Sequence, residues 1–308
     1  ITVAISNFNA LLWATGYLTN LNKIHVHVDV MNRDYEGDIK AAGDTVKISS
    51  IGRVTINDYT RNAGLGGTDL LPTFTAIARP EVTQGSSQFL TVDQQKYFNV
   101  AIDDVDKKQA KPKLMNALMK EAAYGMANTI DQFGNSTMQT GVSGTTDGTG
   151  NRLTARTIGT GAGDADAYET LVDMAEKLRT NDVFGEMWAI VPPWFVGMLQ
   201  KDPRFTNYGT GPNRETLLNG KIGRAAGFEI KESNNLSGAT SGTLAVAGGV
   251  YTILAGVKEA ATFAAQLKSM EAFRPHDGFT DAVKGLHIYG AKVVRPYALA
   301  SCAITKAS

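Results

Sequence analysis

Cysteine is all but missing from this chain, with Cys302 the single example in 308 residues. One cysteine closes no internal disulfide, so the fold rests on packing. Its setting in the apolar stretch ALASCAI marks it as a small buried hydrophobe rather than a nucleophile. Net charge is missing too. Thirty Lys+Arg balance thirty Asp+Glu, which removes the field that holds nucleic acid through counterion release and leaves DNA at most a weak, non-specific neighbour. The apolar runs are short, so no membrane span is visible. The opening residues lack the basic region and hydrophobic stretch of a secretion signal. The chain starts at Ile1 rather than at a methionine, which leaves open both removal of leading residues and a sequence that begins inside the protein.

Catalytic wording is equally scarce. No serine occupies a G-x-S-x-G elbow and no HExxH occurs, so no catalytic, cofactor-binding or metal residue is assigned, and the chain reads as a non-enzyme. Three weaker candidates each have a plainer reading. His25 and His27 share one face of an apparent strand with only Asp29 nearby as a third ligand, and His276 and His287 are remote in sequence; a solvated or pH-responsive face is expected there. Asp103, Asp104 and Asp106 stand just ahead of a lysine-rich helix start, which reads as a solvated turn with local charge pairing. The loop Gly159 to Asp166 (GTGAGDAD) has glycines near a helix start but lacks the lysine and hydroxyl that grip phosphate, and reads as a flexible lead-in to a capped helix.

What is present is a succession of elements. At 43% hydrophobic the chain can bury a substantial core, split between two sub-domains. Phe8, Leu11, Leu12 and Leu18 sit near helical spacing, the apolar stripe of a short arm helix. Ile24, Val26, Val28 and Val30 alternate with His25, His27 and Asp29 as a half-buried strand would. From Gly43 to about Val92 the chain reads as a long two-stranded excursion with its turn at Ala63 to Pro72; such a ribbon is marginal alone and needs a surface to lie on. Met115, Met119, Ala122, Met126, Ile130 and Phe133 then draw one stripe along a helix of roughly twenty-five residues. Pro112 suits its first turn. Glycine and threonine take over from Gly134, and Thr140 to Arg152 reads as a loop.

A second helix is expected from Ala167 to Arg179, capped by Asp166 and buried through Tyr168, Leu171, Met174, Ala175 and Leu178. Met187 to Val191 reads as a buried strand, followed by a short helix after Pro192 and Pro193. Lys201 to Thr216 reads as a connection. Beyond it come the phrase GKIGRAAGFEIKESNNL (Gly220 to Leu236), a strand around Val250 to Leu254, the helical-looking AATFAAQLKSMEAF, and a long strand from Leu286 to Val294 ended by Arg295 and Pro296.

This order, with the phrases Gly220 to Leu236 and YGAKVVRPYALASCAI (Tyr289 to Ile304), resembles the major capsid proteins of tailed double-stranded DNA phages. The resemblance implies the α+β Hong Kong 97 fold. On that pattern, residues 1–30 form an N-terminal arm and 43–95 an extended loop reaching a neighbour. Residues 96–209 begin a peripheral domain with a spine helix at about 108–139, 210–284 form an axial domain, and 285–308 return to the peripheral domain. The implied function is structural. Pentamers and hexamers of this chain tile an icosahedral virion shell around DNA, assembled in the host cytoplasm with a scaffolding protein, a portal and a possible cement protein, and without a membrane.

Heterologous contacts between copies, some of them adjustable, suit such a shell; Gly64, Gly66, Gly67 and the glycine-rich segment 141–150 are expected to adjust. Some relatives weld subunits through an extended-loop lysine, but no lysine lies between Lys47 and Lys96, so noncovalent contacts are expected. An encapsulin-type nanocompartment shell is the alternative, and a secreted β-rich binding module a remote one.

Overall fold

A computed structural model describes residues 25–34, 45–51, 56, 85–103, 114–159, 161, 163–202, 223–236, 249–276 and 278–307. The chain divides into two units, Thr45–Leu90 and the remainder. In the smaller one, β1 (Thr45–Ile51) pairs with β2 (Gly85–Thr91) as a two-stranded sheet, in line with the two-stranded excursion read from Gly43 to about Val92. The expected turn at Ala63 to Pro72 lies outside the described residues, as do the arm stripe before His25 and Pro112.

The larger unit holds two sheets. A six-stranded sheet runs in the order β4 (Arg152–Ile158), β11 (Leu299–Lys306), β8 (Val250–Val257), β5 (Met187–Val191), β7 (Phe228–Glu232) and β6 (Arg224–Ala225). β5 pairs parallel with β7 and antiparallel with β8. Every residue of β5 is buried, which explains its unbroken apolar sequence in place of an alternating one. Two helices accompany this sheet. α2 (Ala167–Thr180) begins where Asp166 accepts a hydrogen bond from the Tyr168 amide and buries Leu171, Met174, Ala175 and Leu178. α3 (Pro193–Lys201) follows Pro192 and buries Phe195, Val196 and Leu199. Both match the sequence reading, except that Tyr168 is only half-buried.

The second sheet has three antiparallel strands, β3 (Gln94–Asp103), β10 (Thr280–Val293) and β9 (Ala261–Phe273), with β10 central. The spine helix α1 (Leu114–Gly141) lies against β10 and β3. Its stripe continues inward as read: Ile130 is buried, and the Phe133 ring meets Tyr289 edge-on at 5.2 Å.

Four readings change. Residues 25–34 form turns, not a strand. The spine helix runs through Gly134, because Thr129, Thr137 and Thr140 satisfy their hydroxyls on carbonyls four residues back and so cease to compete with the helix. AATFAAQLKSMEAF is strand β9, its alanine-rich helix propensity overridden by pairing with Ala282 to Val293 of β10. The phrase Tyr289 to Ile304 is two strands in two sheets, broken at Arg295–Pro296, where a single turn of 3-10 helix intervenes. Strands β3 and β4 arise in spans to which the sequence reading assigned no element.

The spans implied by the resemblance therefore cut across the two sheets. Residues 96–209 supply β3 to one sheet and β4 and β5 to the other, and residues 285–308 supply most of β10 to one and β11 to the other.

Glycine matters where backbones meet. A Cβ on Gly290 would lie 2.4 Å from the Thr91 carbonyl oxygen and 2.9 Å from the Val92 α-carbon, and neither atom is free to swing aside. Replacing Gly290 by valine is expected to cost about 1–3 kcal/mol through strand displacement. The midpoint of urea unfolding of the subunit measures it; an unchanged midpoint would show that β10 and the Thr91–Val92 backbone are not so tightly apposed.

Candidate functional site at the arm joint

The segment 25–34 crosses the spine helix and the edge of β9 as a strap. Asn32 donates its amide to the Ala261 carbonyl and accepts from the Phe263 amide, both at 2.9 Å. Val28, Val30 and Met31 are buried beneath. A Cβ on Gly134 would lie 3.3 Å from both the Met31 and Val28 side chains, so glycine in mid-helix provides the strap's seat.

Polar contacts hold the strap as firmly as apolar ones. Asp131 Oδ1 accepts from the amides of Val26 at 3.0 Å and His27 at 2.8 Å. Its Oδ2 lies 3.0 Å from His27 Nδ1 and accepts from Asn235 Nδ2 at 2.9 Å. Asn135, one turn along the helix, donates to the Asn235 carbonyl at 2.8 Å, and the Asn235 amide donates to Ser233 Oγ at 3.1 Å. His27, Asp131, Asn135, Ser233 and Asn235 are all buried. Three distant segments, the strap, the spine helix and the end of Gly220 to Leu236, thus meet at one carboxylate.

Burial alone would push the Asp131 carboxyl up. The His27 ring, the Asn235 amide and the His27 backbone N–H outweigh it and hold the group well below the ordinary carboxylate range. His287 is pushed below its ordinary value by burial and then by the neighbouring His25.

His27 therefore does not lie on the solvated face expected for it; it is fully buried and turned toward Asp131. His287, remote in sequence, lies close enough to His25 to feel its charge. Asp29 pairs instead with Arg33 at 3.3 Å on the surface. Among the described residues no cluster of histidine, cysteine, aspartate or glutamate has the arrangement of a metal site. Asp103 ends β3 opposite Thr280, and Asp104 and Asp106 lie outside the described residues. The loop from Gly159 folds on itself, Asp164 accepting from the Gly161 amide at 3.0 Å, so it is a bonded turn. The segment 141–150 is likewise tied, Arg152 donating to the Gly144 carbonyl at 2.8 Å and the Asn151 amide to the Ser143 carbonyl at 2.9 Å. The tip glycines Gly64, Gly66 and Gly67 lie outside the described residues. Cys302 is buried as read, its thiol pushed up to about 12 by burial.

Asp131, Asn135 and Asn235 carry the joint and were not singled out in the sequence. The one signal was an acid and an amide four residues apart beside the apolar stripe of the spine helix.

Acid should loosen the joint in two stages. Below 6.5 the unfolded chain protonates at His287 while the folded one resists, so stability begins to fall there. Below 3.8 the same imbalance arises at Asp131, whose stabilising charge is lost as pH falls toward its depressed value. Asp131→Asn, which cannot accept every donor, is expected to cost about 2 kcal/mol or more at pH 7 and to flatten the lower stage. His287→Gln should flatten only the upper one. Denaturant unfolding at a series of pH values checks both. Cys302 should resist thiol reagents until the subunit unfolds, as a timed labelling assay would show.

The model of the phage capsid protein family matches residues 85–302. Solved structures share the fold over nearly the whole chain. Mycobacterium phage Che8 aligns with TM-score 0.69 at 23% identity, covering 94% of this chain and 95% of that one. The capsid of cyanophage P-SCSP1u aligns at 0.68 with 18% identity, covering 96% and 92%. The mature capsid of bacteriophage PhiM1 aligns at 0.63 with 15% identity, covering 94% and 89%. A search of curated proteins returns no match. The spine helix, the two sheets and the separate ribbon unit are the Hong Kong 97 fold, and the chain belongs to the phage capsid protein family, as a structural major capsid protein that self-assembles into the virion shell.

Proposed function

We propose that this subunit builds pentamers and hexamers that close an icosahedral shell around double-stranded DNA. The observation that carries the reading is the ribbon unit Thr45–Leu90, which has one two-stranded sheet among its described residues. A ribbon of that kind is marginal alone, and a neighbouring subunit is the surface that a shell provides. In this scheme the peripheral domain is the spine helix with the three-stranded sheet, and the axial domain is the six-stranded sheet with its two helices. Residues 1–30 act as the arm. Assembly proceeds in the host cytoplasm with a scaffolding protein and a portal, and a cement protein reinforces the outside. The balanced charge suits a lining along which packed DNA slides with weak, non-specific contact. An encapsulin shares the fold, but the family match favours a phage shell.

Negative-stain microscopy of the purified full chain tests the reading, with closed shells or capsomers expected. A strict monomer at high concentration, even beside a scaffolding protein, would overturn it. With no lysine between Lys47 and Lys96, mature particles should dissolve to a monomer band on denaturing gels, and a covalent ladder would contradict noncovalent assembly.

A further inference from the structure

Just past the C-terminus of α2 the chain makes a tight turn that thrusts a phenylalanine into solvent. Phe184 is 72% exposed, although Val183 beside it is buried. The turn is not loose. Asp182 holds a left-handed φ of 59° and Gly185 a φ of 132°. The amides of Asn181, Asp182 and Val183 donate to the carbonyls of Leu178, Arg179 and Leu178. Asn181 also donates from Nδ2 to Asn151 Oδ1 at 2.8 Å, and Asn151 donates to the carbonyls of Tyr297 at 2.7 Å and Leu299 at 2.8 Å. Phe184 is thus a large apolar side chain on a base anchored to the head of β11, and it pays little ordering entropy on binding.

A groove for such a knob exists on the same subunit. It has a volume of about 810 Å³, with Tyr168, Val172, Glu176 and Arg179 of α2 along one wall and Ala226 and Gly227 of the β6–β7 turn along the other. Val172 in its wall is 40% exposed. An Arg179 nitrogen would lie 3.2 Å from a Cβ on Gly227, so the guanidinium reaches across to the turn. Asp182 and Glu186 flank Phe184, and among the described residues neither they nor Arg179 has an ion-pair partner; the groove offers them the Arg179 guanidinium, with the exposed Glu176 carboxylate on the same wall. The knob does not fill its own groove, since Phe184 stays exposed. Knob and groove are different patches of one surface, and a contact between different patches closes a ring when its rotation is a whole fraction of a turn, as in a five-fold or six-fold capsomer.

We propose that the Phe184 turn of one subunit seats in the α2 groove of the next subunit of the same ring, with Asp182 and Glu186 facing Arg179. The inference rests on the shell reading above and adds a specific contact to it. The test is the full-chain double variant Glu176→Cys and Glu186→Cys, assembled into shells and oxidised. Both positions are exposed, and buried Cys302 leaves the wild-type chain as a silent control. A non-reducing denaturing gel should show a ladder ending at covalently closed rings of five and six. Phe184→Ala should raise the concentration needed for assembly about 10-fold or more. Arg179→Glu should do likewise and be partly rescued by Glu186→Lys. Shells of the double variant that yield only monomers, or a Phe184→Ala chain that assembles like wild type, would overturn the contact while leaving the shell reading intact. A wild-type chain that never assembles would remove the shell reading and the contact with it.

Discussion

The arrangement of the larger unit depends on one buried carboxylate. Asp131 sits on the spine helix with almost no exposure, where burial alone would make it neutral. It stays ionised because the strap brings two amides and an imidazole to it, and the loop after β7 brings an amide side chain. Each donor comes from a segment that sequence alone does not fix against the helix. A buried ion held this way adds little net stability compared with a well-packed apolar group, but removing any one partner is costly. Its effect is therefore positional: Val26 must meet the helix at one place and Asn235 must approach at one place. Gly134 completes the constraint by letting the strap lie close enough to reach Asp131.

Elements whose burial is one-sided or complete were legible in the sequence. The stripes of α1 and α2, the Asp166 cap, the all-apolar β5 and the helix start after Pro192 each follow from local pattern and stand in the structure. Readings failed where tertiary pairing decided. β9 is rich in alanine, yet β10 offers it a ladder from Ala261 to Phe273, and pairing outweighs a helix preference worth tenths of a kcal/mol per residue. The alternation at Ile24 to Val30 mimicked a strand because Val28, Val30 and His27 are all buried by a turn. Histidine at 27 looked solvated because its partner lies 104 residues away, a distance over which no spacing rule operates.

The recognised phrases gained a different meaning. Gly220 to Leu236 ends in the asparagine that donates to Asp131, so it is a joint through its last residues, while its Ala226–Gly227 turn, with left-handed φ values of 51° and 89°, reverses β6 into β7. Tyr289 to Ile304 divides between the two sheets at Arg295–Pro296. The stretch crosses from the three-stranded sheet to the six-stranded one, a single 3-10 turn redirecting the chain between buried Tyr289 and buried Leu299.

Structures at 23%, 18% and 15% identity keep this fold, and the physical demands on the chain explain how. Most of the core asks only for apolar residues of about the right volume on the right face, a condition many sequences meet. Far fewer positions are particular: glycine where β10 touches the Thr91–Val92 backbone, a carboxylate where three segments meet, and asparagine at Asn151 where β4, β11 and the end of α2 are pinned together. What a capsid subunit supplies is a surface repeated many times, which its core holds in place. Its specificity must therefore lie outside the core, in exposed features on rigid bases. Phe184 illustrates the division of labour, an exposed side chain whose base is set by buried Val183 and by the hydrogen bonds of Asn151.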